Sequence, residues 1–231
     1  GLVDGPGVRF VVFMQGCPLR CKFCHNPETW DLNGKANCYT PEELIKKILN
    51  YKPYFKHNGG VTFSGGEPLM QKEFLLECLK LCKENNIHTC LDTAGSILNV
   101  EEILKYTDLV MFDIKGTNKD NYKNMTGFNI ENSLKFLNLC EKLNKKLWIR
   151  VVIVPGINDT EEYVNELINF IKPIKNVEKI EFLPYHTLGV HKYDDLKISY
   201  PLKGVSDMDK DKCKKLEDMP DHIWGEYPGI L

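Results

Sequence analysis

Short apolar segments rich in β-branched and aromatic residues recur along the chain and alternate with longer amphipathic segments. The six predicted strands are residues 8–16, 61–64, 87–93, 109–115, 147–156 and 177–186. A repeated strand-then-helix order is typical of a parallel sheet covered by helices. Six such units are fewer than the eight of a closed barrel of about 250 residues. The sequence therefore predicts an α/β fold whose parallel strands form an open, partial barrel or a strongly curved sheet.

The amphipathic segments between the strands predict outer helices. The predicted helices are residues 40–55, 71–86, 99–107, 129–146 and 160–174. The first has the clearest start, because Thr40 can cap it, Pro41 suits its first turn and Glu43 can complete a capping box. After residue 190 the periodicity fades, although one more helix is predicted at about 206–219.

The loss of periodicity after residue 190 predicts a core domain followed by a C-terminal extension. Because residue 1 is Gly rather than Met, we expect the N-terminus to be incomplete.

Composition and targeting signals limit the possible partners and the cellular compartment of this protein. Of the 231 residues, 42% are hydrophobic and 27% are charged, which is enough for a sizeable core. The net charge of −2 and the lack of a basic stripe argue against nucleic acid as a partner. The sequence shows no secretory signal and no apolar run of the roughly 20 residues that a membrane span needs. We therefore expect a cytoplasmic protein, without a membrane partner, whose nine cysteines are thiols or metal ligands rather than disulfides.

Polar and metal-binding residues stand at or near the point where each predicted strand ends. They are Cys17, the turn 64–68, Asp92 with Thr93, Asp113 with Lys115, Arg150 and His186. Because the carboxyl ends of parallel strands meet at one edge of the sheet, we expect these groups to lie close together. Each group also has an ordinary interpretation, since Asp and Thr often cap helices and a Gly-Gly sequence often forms a simple turn.

Three closely spaced cysteines, Cys17, Cys21 and Cys24, follow the first strand in the pattern C-x3-C-x2-C. The C-x-x-C-H that ends at His25 could attach a c-type haem, but a haem would not need Cys17. A structural zinc ion needs four ligands, and His25 adjoins Cys24, which disfavours joint chelation of one ion. A redox dithiol would leave one thiol unused. An iron–sulfur cube held by three thiolates, with its fourth iron open, fits the spacing best.

The other six cysteines do not repeat a ligand spacing. Cys78, Cys82, Cys90 and Cys140 lie among apolar residues of predicted helices and strands, where Cys behaves as a small buried hydrophobe. Cys38 and Cys213 are isolated along the sequence. We therefore expect the three clustered cysteines to be the protein's own ligands for the cube.

Longer motifs place these cysteines in a family. The pattern C-x3-C-x2-C after a first strand, followed by GGEP after a second, resembles the radical S-adenosylmethionine superfamily. Seven segments resemble its pyruvate formate-lyase activating enzymes: GLVDGPGVRF, QGCPLRCKFCHNPETW, FSGGEPLMQ, LDTAG, DLVMFDIK, RVVIVPGIND and LPYHTLGVHKY. The resemblance extends from residue 1 to about residue 193, so it implies a radical S-adenosylmethionine core domain over 1–193 and a C-terminal extension over 194–231. It implies a partial (βα)6 barrel of parallel strands with outer helices, in agreement with the strand count.

The resemblance also implies ligands and the residues that hold them. It implies a 4Fe-4S cluster on Cys17, Cys21 and Cys24, with S-adenosylmethionine beside it. The implied cofactor-binding residues are Phe23, His25, Asn26, Gly65, Gly66, Glu67, Asp113, Lys115, Arg150 and His186. Among these, the 65–67 turn would take the methionine amino group, Arg150 the carboxylate and His186 the adenosyl part. A monovalent cation, Na⁺ or K⁺, is expected at Asp92, Thr93, Met111 and Asp113, and Asp4 is expected near a substrate backbone.

The activity that the resemblance implies is the anaerobic activation of pyruvate formate-lyase. In such enzymes a low-potential donor, such as flavodoxin or ferredoxin, reduces the cluster, and S-adenosylmethionine is cleaved at its C5′–S bond. The 5′-deoxyadenosyl radical then takes a hydrogen from a glycine of the partner and leaves a glycyl radical. Residues 25–60 contain only Cys38, so the ferredoxin-like insert of other activators is absent. Alternatives are a different glycyl radical enzyme or a small molecule as substrate, whereas an electron-transfer protein or haem carrier does not fit three thiols.

Overall fold

The computed structural model describes residues 1–219, and within them the predicted strands form one sheet. The strands are β1 (Arg9–Met14), β2 (Gly60–Gly65), β3 (His88–Thr93), β4 (Leu109–Asp113), β5 (Lys146–Ile153) and β6 (Val177–Pro184). Neighbouring strands pair in parallel in the order β1-β2-β3-β4-β5-β6. Along residues 1–219, β1 and β6 are not paired with each other, so the sheet does not close. The predicted α/β fold with six parallel strands is confirmed.

Helices connect the strands and cover the outer face of the sheet. They are α1 (Pro41–Leu49), α2 (Lys52–Phe55), α3 (Lys72–Glu84), α4 (Glu101–Lys105), α5 (Lys119–Thr126), α6 (Glu131–Lys142), α7 (Glu161–Ile171), α8 (His191–Asp195) and α9 (Lys210–Asp218). Two short 3₁₀ helices, Pro27–Thr29 and Pro68–Gln71, follow the first and second strands. Among residues 1–219, no helix combines the length and the apolar character needed to cross a bilayer.

The first predicted helix is two helices in the structure. The capping box at its start is present, with Thr40 Oγ1 accepting from Glu43 N and the Glu43 carboxylate accepting from Thr40 N. The helix ends at Leu49, and α2 begins anew with Pro53 in its first turn. A proline has no N–H to donate and its ring collides with the preceding turn of a helix, so it favours a helix start over a helix interior.

The two faces of the sheet bury different side chains, because successive residues of a strand point to opposite sides. On the outer face, Phe112 of β4 stacks on Phe136 of α6 within the main core. On the inner face, Cys90, Leu109 and Met111 form a separate buried cluster. This inner cluster lies below the carboxyl ends of the strands and fills the middle of the partial barrel.

The C-terminal part of the described chain packs on the last strand. The helix α9 lies within the range predicted for it, and Glu217 Oε1 accepts from Phe182 N of β6 at 2.9 Å. Asp209 caps the helix by accepting from Lys212 N at 2.7 Å. The remainder of the predicted extension, 220–231, lies outside the described residues. The division into a core over 1–193 and an extension stays a prediction.

Candidate active site

A cavity of about 470 Å³ opens at the carboxyl ends of the strands. Its volume lies within the range of about 300–1,000 Å³ that is usual for small-molecule sites. Except for Met111, every residue predicted for the cluster, the cofactor, the cation and the substrate lines it: Asp4, Cys17, Cys21, Phe23, Cys24, His25, Asn26, Gly65, Gly66, Glu67, Asp92, Thr93, Asp113, Lys115, Arg150 and His186. The parallel sheet thus brings residues from the whole length of the core to one place.

The loop that follows β1, residues 15–30, carries the three clustered cysteines into the cavity wall. Cys17 N donates to Trp30 O at 3.2 Å, and Cys24 N donates to Cys21 O at 3.0 Å. Burial raises the pKa of the Cys17 thiol to about 12 and that of the Cys21 thiol to about 11. These thiols are therefore protonated at neutral pH until a positively charged partner stabilises the thiolates.

The arrangement of the sulfur atoms bears on the kind of metal that they could hold. Along residues 1–219, no group of three His, Cys, Asp or Glu side chains converges on the position of a single metal ion. A cube does not need such convergence, because each thiolate binds a separate iron. All nine cysteines lie within the described residues and all are free thiols.

The strand β2 ends in a turn that exposes bare backbone to the cavity. Gly65 has a φ of +112°, which a residue with a side chain rarely adopts, and a Cβ there would overlap the backbone of Met14. A Cβ on Gly66 would overlap the carbonyl group of Gly16. Glycine is therefore required at both positions for the turn to pack against β1 and the loop that follows it.

Glu67, the next residue, is only 2% exposed and is bound within the fold. Its carboxylate accepts from Thr93 Oγ1 at 2.6 Å, from Ala94 N at 3.2 Å and from Ser96 Oγ at 3.3 Å. Burial raises the pKa of Glu67. These bonds join the turn after β2 to the end of β3. That Glu67 also accepts from a ligand ammonium group stays a prediction.

Charged side chains from three strands meet at the rim of the cavity. Arg150 lies between two carboxylates, with Nη2 3.9 Å from Asp92 Oδ2 and Nε 3.4 Å from Asp113 Oδ1. Lys115 Nζ lies 3.0 Å from Asp113 Oδ2. Burial would raise the pKa of Asp113, but Lys115 and Arg150 hold it below its usual value. Burial does raise the pKa of Asp92, whose Oδ2 accepts from Ser64 Oγ at 2.6 Å.

Some buried polar atoms on the cavity wall have no hydrogen-bond partner along residues 1–219. They are Asp92 Oδ1, Arg150 Nε and His186 Nδ1. Buried polar groups in folded proteins are nearly always paired, so unpaired ones around a cavity indicate a place for a polar ligand. The His186 ring stacks on His25 with centroids 4.0 Å apart.

The residues predicted to bind a cation point in different directions. Met111 is fully buried beneath the cavity, in the inner cluster with Cys90. The Thr93 hydroxyl donates to Glu67 on the side of β3 opposite to Asp92. Asp92 and Asp113 both line the cavity. The monovalent cation stays a prediction, and these two carboxylates are its best-placed side-chain ligands.

Sequence analysis missed the residues after β6 that bond to the cysteine loop. Tyr193 Oη donates to Cys24 O at 3.0 Å, and Lys192 Nζ donates to Asn26 Oδ1 at 3.0 Å. Trp30 lines the cavity and packs edge-on against Tyr193, with ring centroids 5.9 Å apart. The available signal was the segment LPYHTLGVHKY, in which aromatic and polar residues continue beyond the end of β6.

Comparison with known proteins places this site in a family. The family model that matches is that of the radical SAM superfamily, and it covers residues 11–171. The pyruvate formate-lyase-activating enzyme of Clostridium pasteurianum is 56% identical over 219 residues, which is 94% of this chain and 92% of that protein. The chain belongs to the pyruvate formate-lyase-activating enzymes of the radical SAM superfamily. The enzyme of that name from Staphylococcus epidermidis is 45% identical over 224 residues, covering 93% of this chain and 89% of that protein.

Solved structures share the fold of this chain. The crystal structure of Streptococcus suis SuiB bound to precursor peptide SuiA has a TM-score of 0.72 at 19% identity, covering 96% of this chain and 47% of that chain. A domain of pyruvate-formate lyase-activating enzyme from Bacteroides vulgatus has a TM-score of 0.58 at 23% identity, covering 75% of this chain and 98% of that chain. These likenesses confirm the partial barrel.

As a radical SAM enzyme, the chain is an oxidoreductase that uses a 4Fe-4S cluster and S-adenosylmethionine. The cavity fits both groups. Its three thiols are soft ligands of the kind that iron–sulfur clusters require. Its bare glycine turn and its unpaired carboxylate, guanidinium and imidazole atoms suit an amino acid bearing a positive sulfonium.

Proposed function

We propose that this chain activates pyruvate formate-lyase in the cytoplasm, under anaerobic conditions, by forming a glycyl radical on it. The proposal rests on one observation: three thiols and several unpaired polar groups converge on one cavity in a chain that is 56% identical to an activating enzyme. When bound and reduced by a low-potential donor such as flavodoxin or ferredoxin, the cluster and S-adenosylmethionine supply a 5′-deoxyadenosyl radical that abstracts hydrogen from a glycine.

In this proposal Cys17, Cys21 and Cys24 hold the cluster. Lys115 supports the thiolate form of Cys21, because its positive charge lowers the pKa of that thiol against the effect of burial. The Lys115 ammonium group also lies 5.2 Å from the ring centroid of Phe23, which closes the cavity beside the cysteines. A buried thiolate needs such a neighbour until iron takes over its charge.

The charged rim binds the amino acid part of S-adenosylmethionine. Arg150 binds the carboxylate, since its Nε lies 3.4 Å from Asp113 Oδ1 without meeting the geometry of a hydrogen bond, and its Nη2 lies 3.9 Å from Asp92 Oδ2, which leaves the guanidinium incompletely paired. The backbone of Gly65 and Gly66 would hold the amino group, and Glu67 fixes that turn through its bonds to Thr93 and Ala94. A monovalent cation beside the two Asp residues offsets their mutual repulsion. Phe23, His25, Asn26 and His186, which line the cavity, would hold the adenosyl part.

The substrate glycine enters from the open side of the barrel, between β1 and β6. Val3 and Phe13 line the cavity with 80% and 58% of their surface exposed, so they offer apolar contacts to an entering peptide. Asp4 belongs to the same edge, and its carbonyl group accepts from Thr62 Oγ1 at 2.6 Å, which fixes the loop. A closed barrel of eight strands would leave no such lateral path.

The test is to incubate the anaerobically reconstituted and reduced enzyme with S-adenosylmethionine and pyruvate formate-lyase, and to record the electron paramagnetic resonance spectrum. We expect a doublet from a glycine-centred radical that collapses to a single line when the glycine Cα carries deuterium. A partner whose target glycine is replaced by Ala is the matched control and should give no doublet. If 5′-deoxyadenosine forms but the intact partner shows no radical, the substrate is another glycyl radical enzyme or a small molecule.

A further inference from the structure

The segment that follows β6 folds back over the cysteine loop. We call this segment, residues 185–193, the clasp. Since β1 and β6 are not paired along residues 1–219, the loop after β1 has no strand-to-strand support on this side. The clasp supplies side-chain contacts in place of the missing strand pairing.

Tyr193 makes the most direct of these contacts. Its hydroxyl donates to the main-chain oxygen of Cys24 at 3.0 Å across 169 residues of sequence, and its side chain is only 1% exposed. A tyrosine buried to this degree normally keeps a hydrogen-bond partner for its hydroxyl. The bond therefore fixes the main chain from which the Cys24 thiol projects.

Two further residues of the clasp, Lys192 and His186, each make two contacts with the residues after the third cysteine. Lys192 Nζ donates to Asn26 Oδ1 at 3.0 Å and forms an ion pair with Glu28. The His186 ring stacks on His25, and His186 O lies 2.8 Å from His25 Nε2. The clasp thus holds a continuous stretch of the loop rather than one atom.

The close approach depends on a glycine in the clasp. A Cβ on Gly189 would lie 3.0 Å from both Cα and O of His25, so a side chain there would push the clasp away. The opposite side of the cysteine loop is tied to α5, where Arg20 N donates to Thr126 O at 2.9 Å and Lys22 N to Met125 O at 3.0 Å. The loop is consequently held from two sides.

We propose that Tyr193 is a positioning residue for the cluster: its hydroxyl holds the Cys24 main chain so that this thiol keeps its place among the ligands. The inference rests on the proposed assignment of Cys24 as a cluster ligand. The clasp also carries His186, which lines the cavity where the adenosyl part is expected. The clasp therefore connects the cluster side of the cavity to the adenosyl side. Loss of the hydroxyl should loosen the third ligand while the fold is retained.

The experiment compares Tyr193→Phe with Tyr200→Phe. Tyr200 is the matched control because its ring packs on Tyr193 with centroids 4.8 Å apart. Its hydroxyl pairs with that of Tyr185, the first residue of the clasp, at 2.7 Å and does not touch the cysteine loop. Each substitution removes one tyrosine hydroxyl hydrogen bond from the same cluster of aromatic rings. Only Tyr193→Phe removes the hydrogen bond to the main-chain oxygen of Cys24.

Two measurements are made on each variant and on the unaltered chain. The first is the rate at which the reconstituted enzyme loses iron to a chelator under anaerobic conditions, followed by the absorbance of the cluster. The second is hydrogen exchange in the cluster-free chain over residues 21–26. Thermal unfolding is recorded alongside as a measure of general stability. We expect Tyr193→Phe to lose iron about fivefold faster, in line with one hydrogen bond, and to exchange faster over 21–26.

Tyr200→Phe should match the unaltered chain in both measurements, even where its thermal stability falls as much as that of Tyr193→Phe. Equal rates of iron loss and equal exchange in the two variants would overturn the inference. If Tyr193→Phe does not fold, Lys192→Met tests the same clasp and should give a smaller acceleration of both rates. If instead Cys24→Ala retains a full cluster, the ligand assignment in the proposed function fails, and exchange over 21–26 still decides the role of Tyr193.

Discussion

Each end of the partial barrel holds an arginine, buried at one end and partly buried at the other, and the two arginines have opposite surroundings. At the floor, where the strands begin, Arg9 is 2% exposed and donates to Thr62 Oγ1 at 3.1 Å, to His88 O at 3.2 Å and to Val61 O. At the rim, where the strands end, Arg150 lies 3.4 Å and 3.9 Å from two carboxylates, and its Nε has no hydrogen-bond partner along residues 1–219.

The difference separates a side chain that completes the fold from one that is ready for a ligand. Arg9 satisfies neutral acceptors of β2 and β3, and burial lowers its pKa. For Arg150 burial would lower the pKa as well, but Asp92 and Asp113 raise it. Buried charges that are incompletely paired mark functional sites more often than fully bonded ones. We therefore expect changes at the floor to alter stability and changes at the rim to alter ligand binding.

Arg9→Met should give the largest loss of stability. The change leaves the carbonyl oxygens of Val61 and His88 without this donor, and an unsatisfied buried polar group costs about 1–3 kcal/mol. We expect the free energy of unfolding of the cluster-free chain to fall by about 3 kcal/mol in urea titrations. A loss below about 1 kcal/mol would show that the floor arginine is not needed for the fold.

Arg150→Ala should instead weaken the binding of S-adenosylmethionine. A charge-assisted hydrogen bond contributes about 1.5–3 kcal/mol, so the dissociation constant should rise roughly tenfold or more. Equilibrium binding to the reconstituted enzyme measures this effect, and the iron content should stay at the level of the unaltered chain. An unchanged affinity for S-adenosylmethionine would show that Arg150 does not bind the cofactor. The two arginines would then not differ in the way proposed above.

The strands and the rim residues could be predicted from the sequence because their signals are local. Runs such as residues 87–93 combine apolar and β-branched residues and end in a polar residue, so the fold and its functional edge follow from one pattern. The order of parallel strands then brings Cys17, Asp92 and Asp113 to the same cavity, although they are far apart in sequence. Local patterns sufficed wherever the sheet itself positions the residue.

The rest could not be predicted because its signals are weak or its contacts are distant. The helix α5 is mostly polar and buries few residues, and its main cues are the Asn118 cap and the left-handed Gly127 that ends it. The bond from Tyr193 to Cys24 depends on how the clasp returns over the cysteine loop. No periodicity in the sequence encodes that return.

The floor should also give a pH dependence of stability that is smaller than either arginine effect. Burial lowers the pKa of His88, and Arg9, Lys83 and Lys146 lower it further, while Asp108 acts in the opposite direction. The unfolded chain then binds a proton near pH 6.5 that the folded chain resists, so stability falls as the pH drops below about 6.5.

His88→Gln isolates this contribution, because it removes the titrating group. Burial also lowers the pKa of His25. The loss of stability on acidification of the unaltered chain therefore contains contributions from at least these two histidines. Urea titrations at pH 7.5 and pH 5.5 should show a smaller loss of stability on acidification in the variant than in the unaltered chain. Equal losses in both chains would mean that His88 does not titrate as its surroundings indicate.

The most direct test of the account is the cleavage of S-adenosylmethionine by the cysteine variants. The unaltered chain, Cys17→Ala, Cys21→Ala and Cys24→Ala are reconstituted anaerobically, reduced, and assayed for 5′-deoxyadenosine. Cys38→Ala and Cys213→Ala are the controls, because these residues lie outside the cavity. The account predicts that none of the three clustered-cysteine variants forms 5′-deoxyadenosine, while both controls keep the activity of the unaltered chain. Full activity in any of these three variants, or loss of activity in Cys38→Ala, would contradict it.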